Sequence, residues 1–198
     1  MSDGNILERK MLGFQKTVRK YFSFLENQYD FKCIFSDLYC VKFYSKKVYL
    51  NVYHERISYE IYFEIGLLPE EYNNTLKADV RDVLDNSSNT FSNSYFQASK
   101  KDDIDIAVEK LANLVKQNGK DLLIGSTSDF KSISNKRTER QQKALFFGEL
   151  RISLEKANNA WNCKDYKTVT EAYEQYEEYL NPIQLKRLEY TRKIISRN

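Results

Sequence analysis

The sequence predicts an α+β protein: an N-terminal helix over a four-stranded antiparallel meander, followed by an all-helical C-terminal part. Three observations carry this. Apolar residues Leu7, Met11, Phe14, Val18, Phe22 and Leu25 recur at steps of three and four between Ile6 and about Gln28, the period of an amphipathic helix. The stretch "KKVYLNVYHERISYEIYFEIG", Lys46 to Gly66, alternates apolar and polar residues, the period of strands with one face hidden. Beyond about Ser128 the spacing returns to the helical period and stays there.

Four apolar, β-branched or aromatic runs follow the first helix, near Phe31–Phe35, Leu38–Tyr44, Lys47–Tyr53 and Ile57–Ile65, with connections short enough for antiparallel neighbours. A turn at Ser45–Lys46 sets Phe43 opposite Val48, Val41 opposite Leu50 and Tyr39 opposite Val52. The next connection, around "HERI", lacks the Asn-Gly or Gly of a two-residue hairpin and predicts a longer loop. One face then carries Val41, Phe43, Val48, Leu50, Val52, Ile57, Tyr59, Ile61, Phe63 and Ile65, and the first helix covers it. The other carries Lys42, Tyr44, Lys47, Tyr49, Asn51, Tyr53, Ser58, Glu60, Tyr62 and Glu64.

After "GLLPEEY" a short helix is expected at Leu76–Leu84, then a Ser- and Asn-rich loop pinned by Phe91, Tyr95 and Phe96. Asp102 or Asp103 caps a helix through Ile104, Val108, Leu111 and Val115, and Gly119 ends it. "DLLIG" makes a second short turn. Farther on, Phe147, Leu150, Leu154, Ala157 and Trp161 mark one stripe, and Tyr166, Val169, Tyr173, Tyr176 and Leu180 another. Asn181 caps the last helix with Pro182 at its first position, and Leu185, Leu188 and Ile195 lie inward. The expected division is a helix-plus-sheet domain at 1–99 and a helical subdomain at 100–198.

The segments joined near Lys164–Asp165 resemble a single tetratricopeptide-like helical hairpin, with Trp161, Tyr166, Ala172, Tyr173 and Pro182 in the corresponding places. One copy of about 35 residues implies architecture rather than function, because a solenoid needs several.

Composition excludes several classes. Apolar residues make up 41% and charged residues 30%, with only six Gly and two Pro, which predicts a folded chain rather than a disordered one. No window approaches the roughly 18 to 20 apolar residues that span a bilayer, and the start "MSDGNILERKMLGF" has no signal-peptide core, so a cytoplasmic protein without membrane contact is expected. Cys33, Cys40 and Cys163 are an odd count without ligand spacing, as for reduced thiols.

Catalytic patterns are missing. Neither a P-loop nor a dinucleotide fingerprint occurs, and no Cys/His cluster has zinc spacing. His54, the only histidine, falls at the predicted hairpin tip, where nothing orients an exposed imidazole. Glu60 and Glu64 share a strand face about 13 to 14 Å apart, wider than the roughly 5 to 9.5 Å of a glycosidase pair. "SYEIYFEIG" lacks the nearby Glu-x-Lys of a metal-dependent nuclease, and Cys163 beside Lys164 and Asp165 has no histidine near it in sequence. The expectation is a chain with no catalytic residues, no metal and no cofactor.

Charge and aromatics are the remaining signals. Fifteen Tyr and twelve Phe stand against one Trp, and Tyr suits both half-buried walls and contact surfaces. Net charge is +3, divided as +2 over residues 1–69, −4 over 70–130 and +5 over 131–198. Within "KSISNKRTERQQK", Lys131, Lys136, Arg137, Arg140 and Lys143 oppose Glu139 alone, so a nucleic-acid-binding or regulatory role using segment 131–143 is the alternative, with Lys136, Arg137, Arg140 and Lys143 on phosphates. The open Tyr, Glu and Lys face favours a non-catalytic protein-binding module.

On the Tyr-rich run from Val41 to Ile65 and the all-helical tail, the chain resembles small, uncharacterised bacterial proteins, including immunity proteins that neutralise a cognate toxin. That resemblance implies inhibition by occlusion of a partner protein. Tyr49, Tyr53 and Tyr62 would supply rigid contact area, and Glu60 and Glu64 would meet basic groups on the partner.

Overall fold

A computed structural model of the chain describes residues 3–68, 76–85 and 96–197, and side chains from Leu7 onward. The fold is α+β: helices at the N-terminus, a five-stranded antiparallel sheet, then helices. Phe91 and Tyr95, expected to pin a loop, lie outside the described residues. Two compact units divide the chain, residues 1–137 and 138–198, so the segment from 100 to 137 counts with the sheet.

The N-terminal helix is three pieces rather than one: α1 (Asp3–Leu12), α2 (Phe14–Tyr21) and α3 (Ser23–Gln28). Gly13 adopts φ 71°, a left-handed value open to glycine, and this resets the helical phase. Phe14, Val18, Phe22 and Leu25 therefore reach the core while Leu7 and Met11 stay exposed, although all six fall on one stripe in sequence.

Strands β1 (Lys32–Ser36), β2 (Cys40–Tyr44), β3 (Val48–His54) and β4 (Ile61–Leu67) form the predicted meander, and β5 (Lys77–Asp79) extends it in the order β1-β2-β3-β4-β5. β5 occupies the start of the stretch expected to be helical. Its backbone pairs Gly66 with Lys77 and Ile65 with Ala78, and helix α4 (Val80–Asp85) begins only afterwards. A ladder partner thus overrides local helical spacing.

The β2–β3 register differs from the expected one. Tyr44 faces Tyr49, Phe43 faces Leu50 and Val41 faces Val52, with the turn at Lys46–Lys47. The Ser45 N–H donates to Val48 O at 2.8 Å, and Ser45 Oγ accepts from the Val48 N–H at 3.0 Å, so this serine closes the turn. Burial sets only the parity of a register, and a slide that keeps parity keeps every side chain on its face. The β3–β4 loop is longer than two residues, as expected: the Glu55 N–H donates to Glu60 O, leaving four residues between them.

Val41, Phe43, Val48, Leu50, Val52, Ile61, Phe63 and Ile65 are all buried on the core face. Ile57 and Tyr59, expected beside them, instead lie on the loop: Ile57 is 93% exposed and Tyr59 takes φ 57°. α2 and α5 (Lys101–Asn118) pack on the sheet and on each other. α5 begins with Lys100 as its N-cap and no side-chain cap; Asp102 and Asp103 sit in the first turn, where they complement the helix dipole. α6 (Lys120–Leu123) follows Gly119, and Phe130 and Ile133, near the start of α7 (Thr127–Asn162), complete this core. Arg137 pairs with buried Asp82 of α4 and donates to Lys77 O at 2.9 Å, tying α7 to the β5–α4 corner.

The second unit holds the rest of α7, α8 (Tyr166–Glu174), a short 3₁₀ turn (Glu177–Tyr179) and α9 (Pro182–Ile195). Its core is Ala157, Ala160, Val169, Ala172, Tyr173, Leu180 and Leu188. Asn181 and Gln184 form a reciprocal capping box at the start of α9, with Pro182 in the first turn. Phe147 and Ile195, expected inward, are exposed. None of the three cysteines forms a disulfide, and Cys33 lies opposite Phe43. Among the described residues no helix is long and apolar enough to cross a membrane.

Two outcomes follow for stability. Asp82→Asn leaves the half-buried Arg137 charge without its buried carboxylate partner and should cost about 1 to 3 kcal/mol in urea unfolding, while Asp82→Asn combined with Arg137→Met recovers part of it. A β-carbon at Gly66 would stand 2.6 Å from Tyr49 Cζ, so Gly66→Ala should destabilise by about 1 to 3 kcal/mol in the same assay.

Candidate functional site

The second face of the sheet, where the sequence places the contact residues, is built from cross-strand rows. Tyr44, Tyr49, Gly66 and Lys77 form one; Lys42, Asn51, Glu64 and Asp79 the next; Cys40, Tyr53 and Tyr62 the third. The absence of a side chain at Gly66 opens a slot that the Tyr49 ring fills. Tyr49 is consequently 1% exposed, which removes it from the contact area assigned to it. Its hydroxyl donates to Glu64 Oε1 at 3.0 Å, and Glu64 Oε2 pairs with Lys77 Nζ at 2.6 Å. Tyr49 and Glu64 thus serve an internal network joining β3, β4 and β5.

Tyr53 and Tyr62 behave differently. Their rings stack across β3 and β4 with centroids 5.0 Å apart and planes 25° apart, and both are half-buried. Asn51 Nδ2 donates to the Tyr53 hydroxyl at 3.2 Å, and the Tyr62 hydroxyl donates to Glu55 Oε1 at 2.9 Å. Burial and that carboxylate push the Tyr62 phenol far above its ordinary pKa, so it stays a donor. Glu60, half-buried, bridges to Gln97 just before β4. Of the five assigned residues, Tyr53, Tyr62 and Glu60 remain at the surface together. A concavity of about 350 Å³ adjoins Tyr53, lined also by Tyr39, Cys40, His54, Glu55, Arg56 and Ile57.

His54 is buried, not an exposed tip residue, because the strand continues through it and the turn begins later. Arg9 of α1, also buried, reaches it: Nη1 lies 3.0 Å from Nδ1, and the imidazole Nε2 lies 3.0 Å from Ala98 O. Guanidinium only donates and carbonyl only accepts, so Nδ1 accepts from Arg9 and Nε2–H donates to Ala98. The same guanidinium donates to Glu55 O and Arg56 O and sits 3.8 Å above the Tyr59 ring. Burial and the Arg9 charge lower the His54 pKa to about 4. Both ring nitrogens are engaged, which makes this histidine a tether holding the β3–β4 loop against α1 and the segment at Ala98. Sequence reasoning missed it because nothing local joins positions 9, 54 and 98.

The basic segment is less available than its composition implies. Arg137 is committed to Asp82 and Lys77 O, and Arg140 is half-buried, leaving Lys136 and Lys143 exposed. Cys163 is exposed on the second unit. Among the described residues, no group of three His, Cys, Asp or Glu side chains is placed to hold a metal ion.

The tether has a pH signature. The folded-state pKa of His54 lies below the usual value near 6.5, so the unfolded chain takes up a proton first as pH falls. Its contribution is complete above about pH 6.5 and is lost progressively toward about pH 4, amounting to roughly 2 to 3 kcal/mol. Urea unfolding across that range should show the slope, and His54→Gln should flatten it.

No protein-family model, no curated protein and no solved structure matches this chain.

Proposed function

We propose that the chain is a non-catalytic protein-binding module that occludes a partner protein, in the manner of an immunity-type inhibitor. The observation that carries this reading is the stacked Tyr53–Tyr62 pair, held by hydrogen bonds beside a concavity whose rim includes Ile57, 93% exposed. Interface hot spots favour Tyr and Arg that are rigid before contact, because little side-chain entropy is then lost. Here the two rings are fixed by Asn51 and Glu55, and the Arg56 guanidinium rests 4.5 Å from the centre of the Tyr39 ring. Glu55 and Glu60 give the patch a negative side suited to basic groups on a partner. The Arg9–His54 tether supports the same reading, since it holds in one place a loop that presents an isoleucine to solvent.

The alternative, phosphate binding by segment 131–143, has less to draw on with Arg137 paired to Asp82.

Affinity capture from cells of the source organism, followed by mass spectrometry, tests the proposal. Tyr53→Ala with Tyr62→Ala, and separately Ile57→Asp, should each weaken retention of the captured protein by about thirtyfold. Circular dichroism of both variants should match the parent. Undiminished capture by both would refute this surface as the contact.

A further inference from the structure

On the second unit, the end of α7, the start of α8 and the outer side of α9 bring three aromatic rings together. Trp161, Tyr166 and Tyr190 pack edge to face, with centroid separations of 6.0, 5.7 and 5.8 Å. They line an open cleft of about 400 Å³ with Ile183, Lys186 and Arg187. That size lies within the roughly 300 to 1,000 Å³ range of ligand-binding clefts. Ile183 is 66% exposed and Tyr190 49% exposed, so the cleft presents apolar surface to solvent.

Charge gives the cleft a polarity. Both charged residues lining it are cationic, and neither Lys186 nor Arg187 makes an ion pair with a described residue. Arg187 is positioned rather than mobile: its guanidinium lies 4.9 Å from the Trp161 ring centre and donates one hydrogen bond, to Asn158 Oδ1 at 2.9 Å. Most of its five N–H donors are left for a carboxylate.

We propose that this cleft binds an acidic peptide segment of a partner protein, taking a large apolar side chain between Ile183 and the rings and pairing flanking carboxylates with Lys186 and Arg187. The inference rests on the protein-binding reading above and adds a second contact of stated chemistry. A single-stranded nucleic acid fits the same charge but not the same walls. A run of stacked bases needs ring faces presented in succession, whereas these three planes stand 64°, 65° and 80° from one another, Arg187 lies against the Trp161 ring, and Ile183 is an aliphatic wall. A peptide uses each of these features: methyl and ring edges for its apolar side chain, the two cations for its carboxylates.

The chain's sole tryptophan lies in the cleft, so its fluorescence reports occupancy directly. A displayed random-peptide library is panned on the full chain, and enriched peptides are synthesised and titrated against Trp161 emission. Enrichment of peptides with Asp or Glu next to a large apolar residue is expected, with saturable change in emission. Ile183→Ser, and Lys186→Glu with Arg187→Glu, should each raise the dissociation constant by about tenfold or more. Ile183 and Lys186 are exposed and Arg187 is half-buried, and unchanged circular dichroism confirms that both variants fold. Tyr53→Ala with Tyr62→Ala should bind these peptides like the parent.

The proposal is overturned by any of four results: no enrichment, enrichment of neutral or basic peptides, binding that survives both cleft variants, or saturation of Trp161 emission by oligo(dT) but not by peptides. Loss of peptide binding in the Tyr53/Tyr62 variant alone would assign the contact to the sheet, sustaining the earlier reading while ending this one.

Discussion

The whole first unit depends on hiding one face of β2, β3 and β4. Eight side chains from Val41 to Ile65 point to that face, and a shift of pairing by one residue would turn all of a strand's apolar groups to water. Burying each is worth about 1.5 to 3 kcal/mol, so no turn chemistry competes with the parity they impose. The break at Gly13, the loop at Glu55–Glu60 and the added strand β5 all accommodate this constraint.

The opposite face shows what becomes of polar residues once that parity is set. Where Gly66 removes a side chain, Tyr49 sinks and hands its hydroxyl to Glu64, which holds Lys77 of the next strand. Where the ladder has no glycine, Tyr53 and Tyr62 stack instead and stay near the surface. One small residue thus separates a tyrosine that is sealed into the sheet from two that stay half-buried near its surface. The loop beyond them is governed from 45 residues away by Arg9, a buried cation satisfied by an imidazole nitrogen, two carbonyls and a tyrosine face. Such a group is tolerated only when its donors are occupied, which makes the position of the loop as determinate as that of the strands.

In the second unit the same competition between packing and exposure plays out on helices. Tyr173 and Val169 enter the core, while the aromatic residues at the helix ends assemble among themselves and leave Ile183 and Tyr190 open. An aromatic cluster next to cations that make no ion pair with a described residue differs chemically from the sheet's tyrosine pair next to carboxylates. The two patches therefore present different charges beside their rings.

Local sequence alone determined the α+β class, the meander, the identity of the buried sheet face and the capping of α9, because each follows from contacts within a few residues or from a repeat of two or 3.6. The helical spacing of Leu7 and Met11 misled because a single left-handed residue resets the phase. Leu76–Leu84 misled because hydrogen bonding to Gly66 and Ile65 outweighed local preference. The candidate site was legible in part: its face and two of its three tyrosines, but not the burial of Tyr49, which needs Gly66 directly opposite. Only tertiary structure decided that His54 is sealed against Arg9, that Arg137 belongs to Asp82, and that Trp161, Tyr166 and Tyr190 meet. Arg9 and His54, Asp82 and Arg137, and Tyr190 and the Trp161–Tyr166 pair lie far apart in the chain, and no repeat in the sequence encodes which distant partner satisfies a buried charge or completes an aromatic cluster.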